Sequence, residues 1–203
     1  MLTRTRGYLP HIEAPKETYF VTFRLYDSLP QSVLVRYQKE FQLEKSPNIS
    51  APWIAFNHYE AKIEKYLDSS YGQCWLRDPK IARLIADAFR KQDGNWYDLH
   101  AYTIMPNHVH ILFTLKGTKI LCEIIRNWKG ATSFFANQLL QRSRTFWQRE
   151  YFERIVKSQR KFEYIIRYIF RNPVKPGLCN EVFEWPWTKA SPEIEHLLKK
   201  FFV

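Results

Sequence analysis

The sequence predicts an α+β protein, an antiparallel sheet with helices packed mainly on one face. Three observations predict it. Two strand-like runs, 96–105 and 108–115, are separated by only Pro106 and Asn107, which is hairpin spacing. Long stretches of helical periodicity lie between that hairpin and the strand-like segments before and after it, giving the order β-α-α-β-β-α-β-α. The composition, 45% hydrophobic and 17% aromatic, supplies a packed core. At 203 residues the chain fits one domain, 1–203, with a helical expansion around 31–90.

The first strand is 19–25, YFVTFRL, rich in β-branched and aromatic residues and closed by the turn signal Asp27-Ser28-Leu29-Pro30. Residues 31–67 read mostly as helix, broken around Ser46-Pro47-Asn48 and again before Trp53. A further helix starts with Asp78 as cap and Pro79 in the first turn, and stops at Asp93-Gly94. After the hairpin and Gly117, KILCEIIRNWKGATSFFANQLLQ reads as one or two helices, with an irregularity expected at Gly130. Residues 151–156 read as a short strand. The helix 160–171 ends at Asn172-Pro173, because a residue before proline is pushed out of the α region. The tail, with its rigid Trp185-Pro186-Trp187, closes the domain.

No apolar run approaches the roughly 18–20 residues needed to cross a bilayer, and the charged N-terminal stretch has no apolar core of a secretory signal. Cytoplasmic residence is the expectation. Three dispersed cysteines, Cys74, Cys122 and Cys179, form no CxxC pair and argue against a cysteine zinc site or a disulfide framework. The formal charge of +11 is concentrated: residues 118–175 carry thirteen Lys/Arg against four Asp/Glu, a net +9. A basic surface of this kind attracts polyanions, and counterion release makes a phosphate backbone the natural partner.

Within MPNHVHILFTL, strand alternation puts His108 and His110 on one face and Val109, Ile111, Phe113 and Leu115 on the other. Two such imidazoles can offer neutral nitrogens to one cation, with a third ligand from elsewhere; taken alone, the pair also fits two exposed strand histidines. In KFEYIIRYIFRN, Phe162, Ile165, Ile166, Ile169 and Phe170 make one apolar stripe, and Tyr164 and Tyr168 point away from it. Asn172 follows Tyr168 by one turn, so phenol and amide can face one site, and an amide oxygen suits a hard cation. Spacing alone leaves open a packed Tyr168 and a helix-end Asn172.

Three blocks resemble a known family: RGYLPHIEAPKETYFVTFRLYDSLP, MPNHVHILFTL, and WQREYFERIV with FEYIIRYIFRNPVKPGL. Together they resemble the HUH superfamily of single-strand DNA nickases, and within it the REP-associated tyrosine transposases, which carry one catalytic tyrosine. The resemblance implies a ferredoxin-like antiparallel sheet. It also implies Mg²⁺ or Mn²⁺ bound by His108, His110 and Asn172, with Tyr168 as the nucleophile. Tyr164, one turn earlier, is a competitor, since two tyrosines four apart also occur in two-tyrosine HUH enzymes; the register with NPVK favours Tyr168. The implied partner is single-stranded DNA beside a hairpin, nicked through a 5′-phosphotyrosine and rejoined, by a nucleoid-associated monomer or homodimer.

Arg167, Arg171 and Lys175 are candidate phosphate contacts near the tyrosine, and Arg149 lies in the same basic segment. Arg4 and Arg6 form a candidate arm for the hairpin. Trp128, Trp147 and Tyr151, interleaved with basic residues, are candidate base-stacking platforms. Two other readings stand beside this one: a non-catalytic hairpin-binding protein that keeps the fold, and a metal-dependent phosphohydrolase, which calls for further carboxylate or histidine ligands.

Overall fold

The computed structural model describes residues 2–5, 9–44 and 52–201. A two-stranded ribbon, β1 (Leu2–Thr5) and β2 (Pro10–Glu13), precedes β3 (Thr18–Arg24). A helical pair follows, α1 (Gln31–Glu44) and α2 (Pro52–Leu67). A 3-10 turn, Trp75–Arg77, leads into α3 (Pro79–Arg90) and the hairpin of β4 (Tyr97–Ile104) and β5 (His108–Leu115). Then come α4 (Leu121–Leu139), β6 (Phe152–Ile155), α5 (Gln159–Arg171), β7 (Thr188–Ala190) and α6 (Pro192–Phe201).

Five strands form one antiparallel sheet in the order β6-β3-β5-β4-β7. The run β3-α3-β4-β5-α4-β6, with β3 and β5 side by side in the centre, is the split βαββαβ arrangement expected of a ferredoxin-like sheet. Its two crossover helices share one face. There Tyr19, Val21 and Phe23 of β3 and Val109, Ile111 and Phe113 of β5 pack against Ile85 and Phe89 of α3 and Ile124 and Trp128 of α4.

The α+β class holds, but the helices are not confined mainly to one face. On the other face Phe20, Ala101 and Leu112 pack against Ile165, Ile166, Ile169 and Phe170 of α5 and against Ile194 and Leu198 of α6. The α1–α2 pair buries Phe41, Tyr59, Ile63 and Leu67 against Leu9 and Phe152 of β6. The even positions of β5 that carry His108 and His110, set apart from the core by alternation, lie beneath a helix, which buries both histidines.

Local expectations fare unevenly. Asp78 caps α3 by accepting from the Lys80 amide at 2.8 Å, with Pro79 at the first position. α4 runs unbroken through Gly130: the helix's apolar face, including Trp128 and Thr132 on either side, is held by packing that outweighs about 1 kcal/mol of glycine propensity. Asn172 keeps α dihedrals (φ −58, ψ −44), so α5 ends because Pro173 has no N–H to continue the ladder, not because Asn172 is forced out of the α region. The expected break at 46–48 lies outside the described residues. The β1–β2 ribbon, β7 and α6 were not anticipated; all are short or carry mixed polarity.

Candidate active site

Register builds the site. β3 and β5 pair so that Thr22 stands opposite His110 and Arg24 opposite His108, and the α5-facing residues of the central strands form one polar row. Both histidines and Asn172 are buried, with at most 1% of their surface exposed.

The tautomer of His108 is set by its neighbour. The Asn107 side chain donates to the carbonyls of Tyr71 (3.1 Å) and Leu67 (3.4 Å), which turns its Oδ1 toward His108 Nδ1 at 2.8 Å. Nδ1 therefore carries the proton and Nε2 presents a lone pair. His110 Nδ1 meets the Thr22 hydroxyl at 2.7 Å. When His110 donates that bond, its Nε2 is also a bare acceptor, and the two Nε2 atoms stand 3.1 Å apart. Burial pushes His108 down to about 3 and holds His110 well below the ordinary histidine range, with His108 and Lys175 adding to the effect at His110. Both rings are neutral at physiological pH.

Two facing lone pairs repel unless a cation lies between them, and two ligand atoms at right angles on one octahedral ion, each roughly 2.1 Å from it, stand about 3 Å apart. The Asn172 amide faces His108, and neither its oxygen nor its nitrogen has a hydrogen-bond partner. A buried amide left unpaired costs about 1–3 kcal/mol, so an unsatisfied carbonyl oxygen beside two converging imidazoles is a donor set with room for a ligand. The residues fit a hard or borderline divalent ion. Among the described residues, no group of three or more His, Cys, Asp or Glu side chains is placed to hold a metal, which is the donor set the phosphohydrolase reading calls for.

Tyr168 meets this pair from α5. Its ring packs edge-on against His110 (centroids 5.2 Å apart) and against Phe20 (5.8 Å), while Phe20 stacks on His110 (5.5 Å). The Lys175 ammonium lies 5.3 Å from the centre of the Tyr168 ring. Burial raises the phenol above its ordinary value, and the Glu64 carboxylate raises it further. Tyr164 instead is 62% exposed, at the rim of a pocket of about 180 Å³ that Tyr168 also lines.

The structure thus brings His108, His110, Tyr168, Asn172 and Lys175 together within one chain. Arg167 is half-buried and Arg171 exposed on α5. Arg149 is exposed beside Gln148, whose amide bonds Arg24 opposite His108. Arg4 lies in β1, where its side chain is outside the described residues, as is the whole of Arg6. The stacking expectation is corrected. Trp128 is core and bonds Tyr97 Oη at 3.1 Å, Trp147 packs on Phe23 and bonds Thr132, and Tyr151 stacks on buried His11. Aromatics at core spacing were read as a binding surface because charge neighbours them in sequence, whereas the fold turns their rings inward.

Sequence reasoning missed three residues. Asn107 was read as a turn residue; Thr22 was visible only once the strand register was known; Glu64 comes from α2, distant in sequence from the rest.

Residues 76–172, just under half of the chain, match the family described as IS200-like transposases, and the match includes both histidines, Tyr168 and Asn172. The chain is 24% identical over 93 residues to the REP-associated tyrosine transposase of Escherichia coli K12, covering 45% of this chain and 53% of that protein. It is 23% identical over 109 residues to a Haemophilus influenzae protein provisionally given the same name, covering 49% of this chain and 62% of that protein. The matches therefore span about half to three-fifths of these relatives' length. A solved structure, described as the REP-associated tyrosine transposase bound to a REP hairpin, shares the fold with a TM-score of 0.53 at 16% identity, over 100% of this chain and 88% of that one.

Proposed function

Taking as premise that this chain resembles the REP-associated tyrosine transposases and shares their fold, we propose that it is a metal-dependent single-strand DNA nickase and strand transferase acting beside a DNA hairpin. The observation that carries the reading is the meeting, on one face of the sheet, of two buried imidazoles whose Nε2 atoms stand 3.1 Å apart, an unpaired buried amide and a tyrosine.

His108, His110 and Asn172 would hold Mg²⁺ or Mn²⁺, which when bound polarises a phosphate oxygen and offsets transition-state charge. The chain's own residues do the rest. Asn107 and Thr22 hold the imidazoles in register, so the site is preorganised before DNA arrives. Phe20 and His110 pack the Tyr168 ring and fix the direction of its oxygen. That oxygen attacks phosphorus, becomes joined to the 5′ side and releases a 3′-hydroxyl. The phosphotyrosine conserves the energy of the broken bond, so a 3′-hydroxyl can displace Tyr168 and rejoin strands. Lys175, beside the ring, supplies positive charge for the flanking phosphate, with the basic segment 118–175 as the wider electrostatic surface. The setting is the cytoplasm, at the nucleoid.

Incubation with hairpin-tailed single strands and Mn²⁺ is expected to give a denaturant-resistant protein–DNA adduct. Tyr168→Phe abolishes the adduct while leaving hairpin affinity within about twofold, and Tyr164→Phe retains it. An adduct formed by Tyr168→Phe refutes the nucleophile assignment, and no adduct from the wild-type protein across varied hairpins favours the non-catalytic binder. Light scattering separates monomer from homodimer.

A further inference from the structure

The helical pair inserted between β3 and α3 contributes a side chain to the site. α2 lies outside the residues that match the transposase family, and it presents Glu60 and Glu64 one turn apart, with Asp68 a further turn along just past its end. Two of them hold cations around the tyrosine. Glu60 is buried in an ion pair with Arg154 of β6, and Asp68 reaches Lys175 at 3.8 Å. The middle one, Glu64, is half-buried and makes no ion pair within 4 Å among the described residues. Its carboxylate instead acts on the Tyr168 hydroxyl from across a pocket that both residues line. Glu64 and Tyr168 line the same pocket of about 180 Å³, with Glu60, Arg154 and Tyr164 around them.

A partly buried phenol is a poor nucleophile until its proton has somewhere to go. The Nε2 atoms of His108 and His110 face one another, and the Lys175 ammonium has no lone pair to offer. Glu64 is left as the acceptor at the phenol. We propose that Glu64 takes the proton of Tyr168 as the phenol oxygen attacks phosphorus, and returns it when a 3′-hydroxyl displaces the tyrosine. The step balances: the Tyr168 O–H and the P–O3′ bonds break, the Tyr168 O–P bond forms, Glu64 gains the proton, and the departing 3′-oxygen takes one from water. In the reverse direction the 3′-hydroxyl gives its proton to water, the O3′–P bond forms, the Tyr168 O–P bond breaks, and Glu64 gives its proton back to the departing phenoxide. The step requires the Glu64–Tyr168 hydrogen bond to close when DNA binds, and catalytic hydrogen bonds commonly tighten only when substrate is bound.

The surroundings set Glu64 for this work. Burial first, and then Glu60, push it up to about 7, with Tyr168, Lys175 and Arg154 opposing. A base of that strength is half-ionised near neutrality and can both accept and return a proton.

The inference rests on the reading above, and one experiment separates the two. Single-turnover adduct formation on a hairpin-tailed oligonucleotide with Mn²⁺ is followed from pH 5.5 to 9.5 for wild type, Glu64→Gln and Glu64→Asp. The wild-type rate is expected to rise through a limb near pH 7. Glu64→Gln, isosteric and without the charge, is expected to melt no lower than wild type and to bind the hairpin equally well. It should form adduct at least about a hundredfold more slowly at pH 7, lose that limb, and recover partly at high pH as hydroxide replaces the base. Glu64→Asp falls between. A folded Glu64→Gln that keeps the wild-type rate and limb, or is slowed equally at every pH, overturns the role of Glu64. Absence of adduct from the wild type overturns the function on which it rests.

Discussion

Replacing Asn107 by alanine tests how the site is held together. The side chain is fully buried and makes three contacts: Oδ1 with His108 Nδ1 at 2.8 Å, and Nδ2 with the carbonyls of Tyr71 at 3.1 Å and Leu67 at 3.4 Å. The Leu67 carbonyl also accepts the Ser70 amide at 3.0 Å, so it stays satisfied. The Tyr71 carbonyl belongs to an exposed residue and also accepts from Cys74 Sγ at 3.9 Å. The loss therefore falls mainly on a buried imidazole N–H, costing about 1–3 kcal/mol when left unpaired. A destabilisation of about 2 kcal/mol is expected, equivalent to roughly 4–8 °C in Tm for a chain of this size. Because His108 also loses the partner that fixes its tautomer, Mn²⁺ affinity should fall about 10- to 100-fold. Guanidinium unfolding gives the first quantity and Mn²⁺ titration calorimetry the second, with exposed Asn95→Ala as a control expected within about 0.5 kcal/mol of wild type. A change below about 1 kcal/mol in Asn107→Ala, with Mn²⁺ binding intact, would refute the claim that this residue orients His108.

Three further outcomes are expected. His11 is buried between Glu150 (3.5 Å) and Glu153 (2.8 Å); burial lowers it, but the two carboxylates win and raise it to about 9. A raised histidine stabilises fully below its unfolded value of about 6.5 and loses that contribution as pH rises through the folded value. Lys129, lowered by burial to about 7, works in the opposite sense, so the comparison must be differential: the gap in urea midpoint between wild type and His11→Gln should narrow from pH 6 to pH 9.5, and a constant gap would contradict the pairing. Lys175→Ala should weaken hairpin binding and lower the slope of log K against log salt by about 0.7–0.9, the value for one phosphate contact; an unchanged slope removes Lys175 from the interface. Trp128→Ala should cost about 3–5 kcal/mol of stability as a core deletion, whereas a stable variant with weakened DNA binding would restore its stacking role.

Much of the scaffold was legible because it depends on short-range rules. Strand alternation in HVHILFTL placed both histidines on one face and hairpin spacing placed β4 beside β5; the apolar stripe of α5 left Tyr164 exposed, but Tyr168, read as pointing away from that stripe, packs against the same core cluster. The Asp78–Pro79 start of α3 followed from capping chemistry alone. The failures share a cause. Gly130 and the three aromatics of the basic segment were judged by local propensity or by neighbours in sequence, and packing overrode each; Asn172 was judged by a pre-proline preference that its α dihedrals do not follow.

The sequence by itself determined which residues could do chemistry: two imidazoles one residue apart, a tyrosine and an amide one helical turn apart, and the charge to draw a phosphate backbone. Only the tertiary structure decided what surrounds them. It set α5 over the polar face of the sheet, turned Asn107 and Thr22 onto the histidines, and carried Glu64 from α2 to the tyrosine more than a hundred positions later in the chain. The physical reason is that a side chain's direction follows from local backbone geometry, whereas its partners and its dielectric follow from which distant surfaces bury one another.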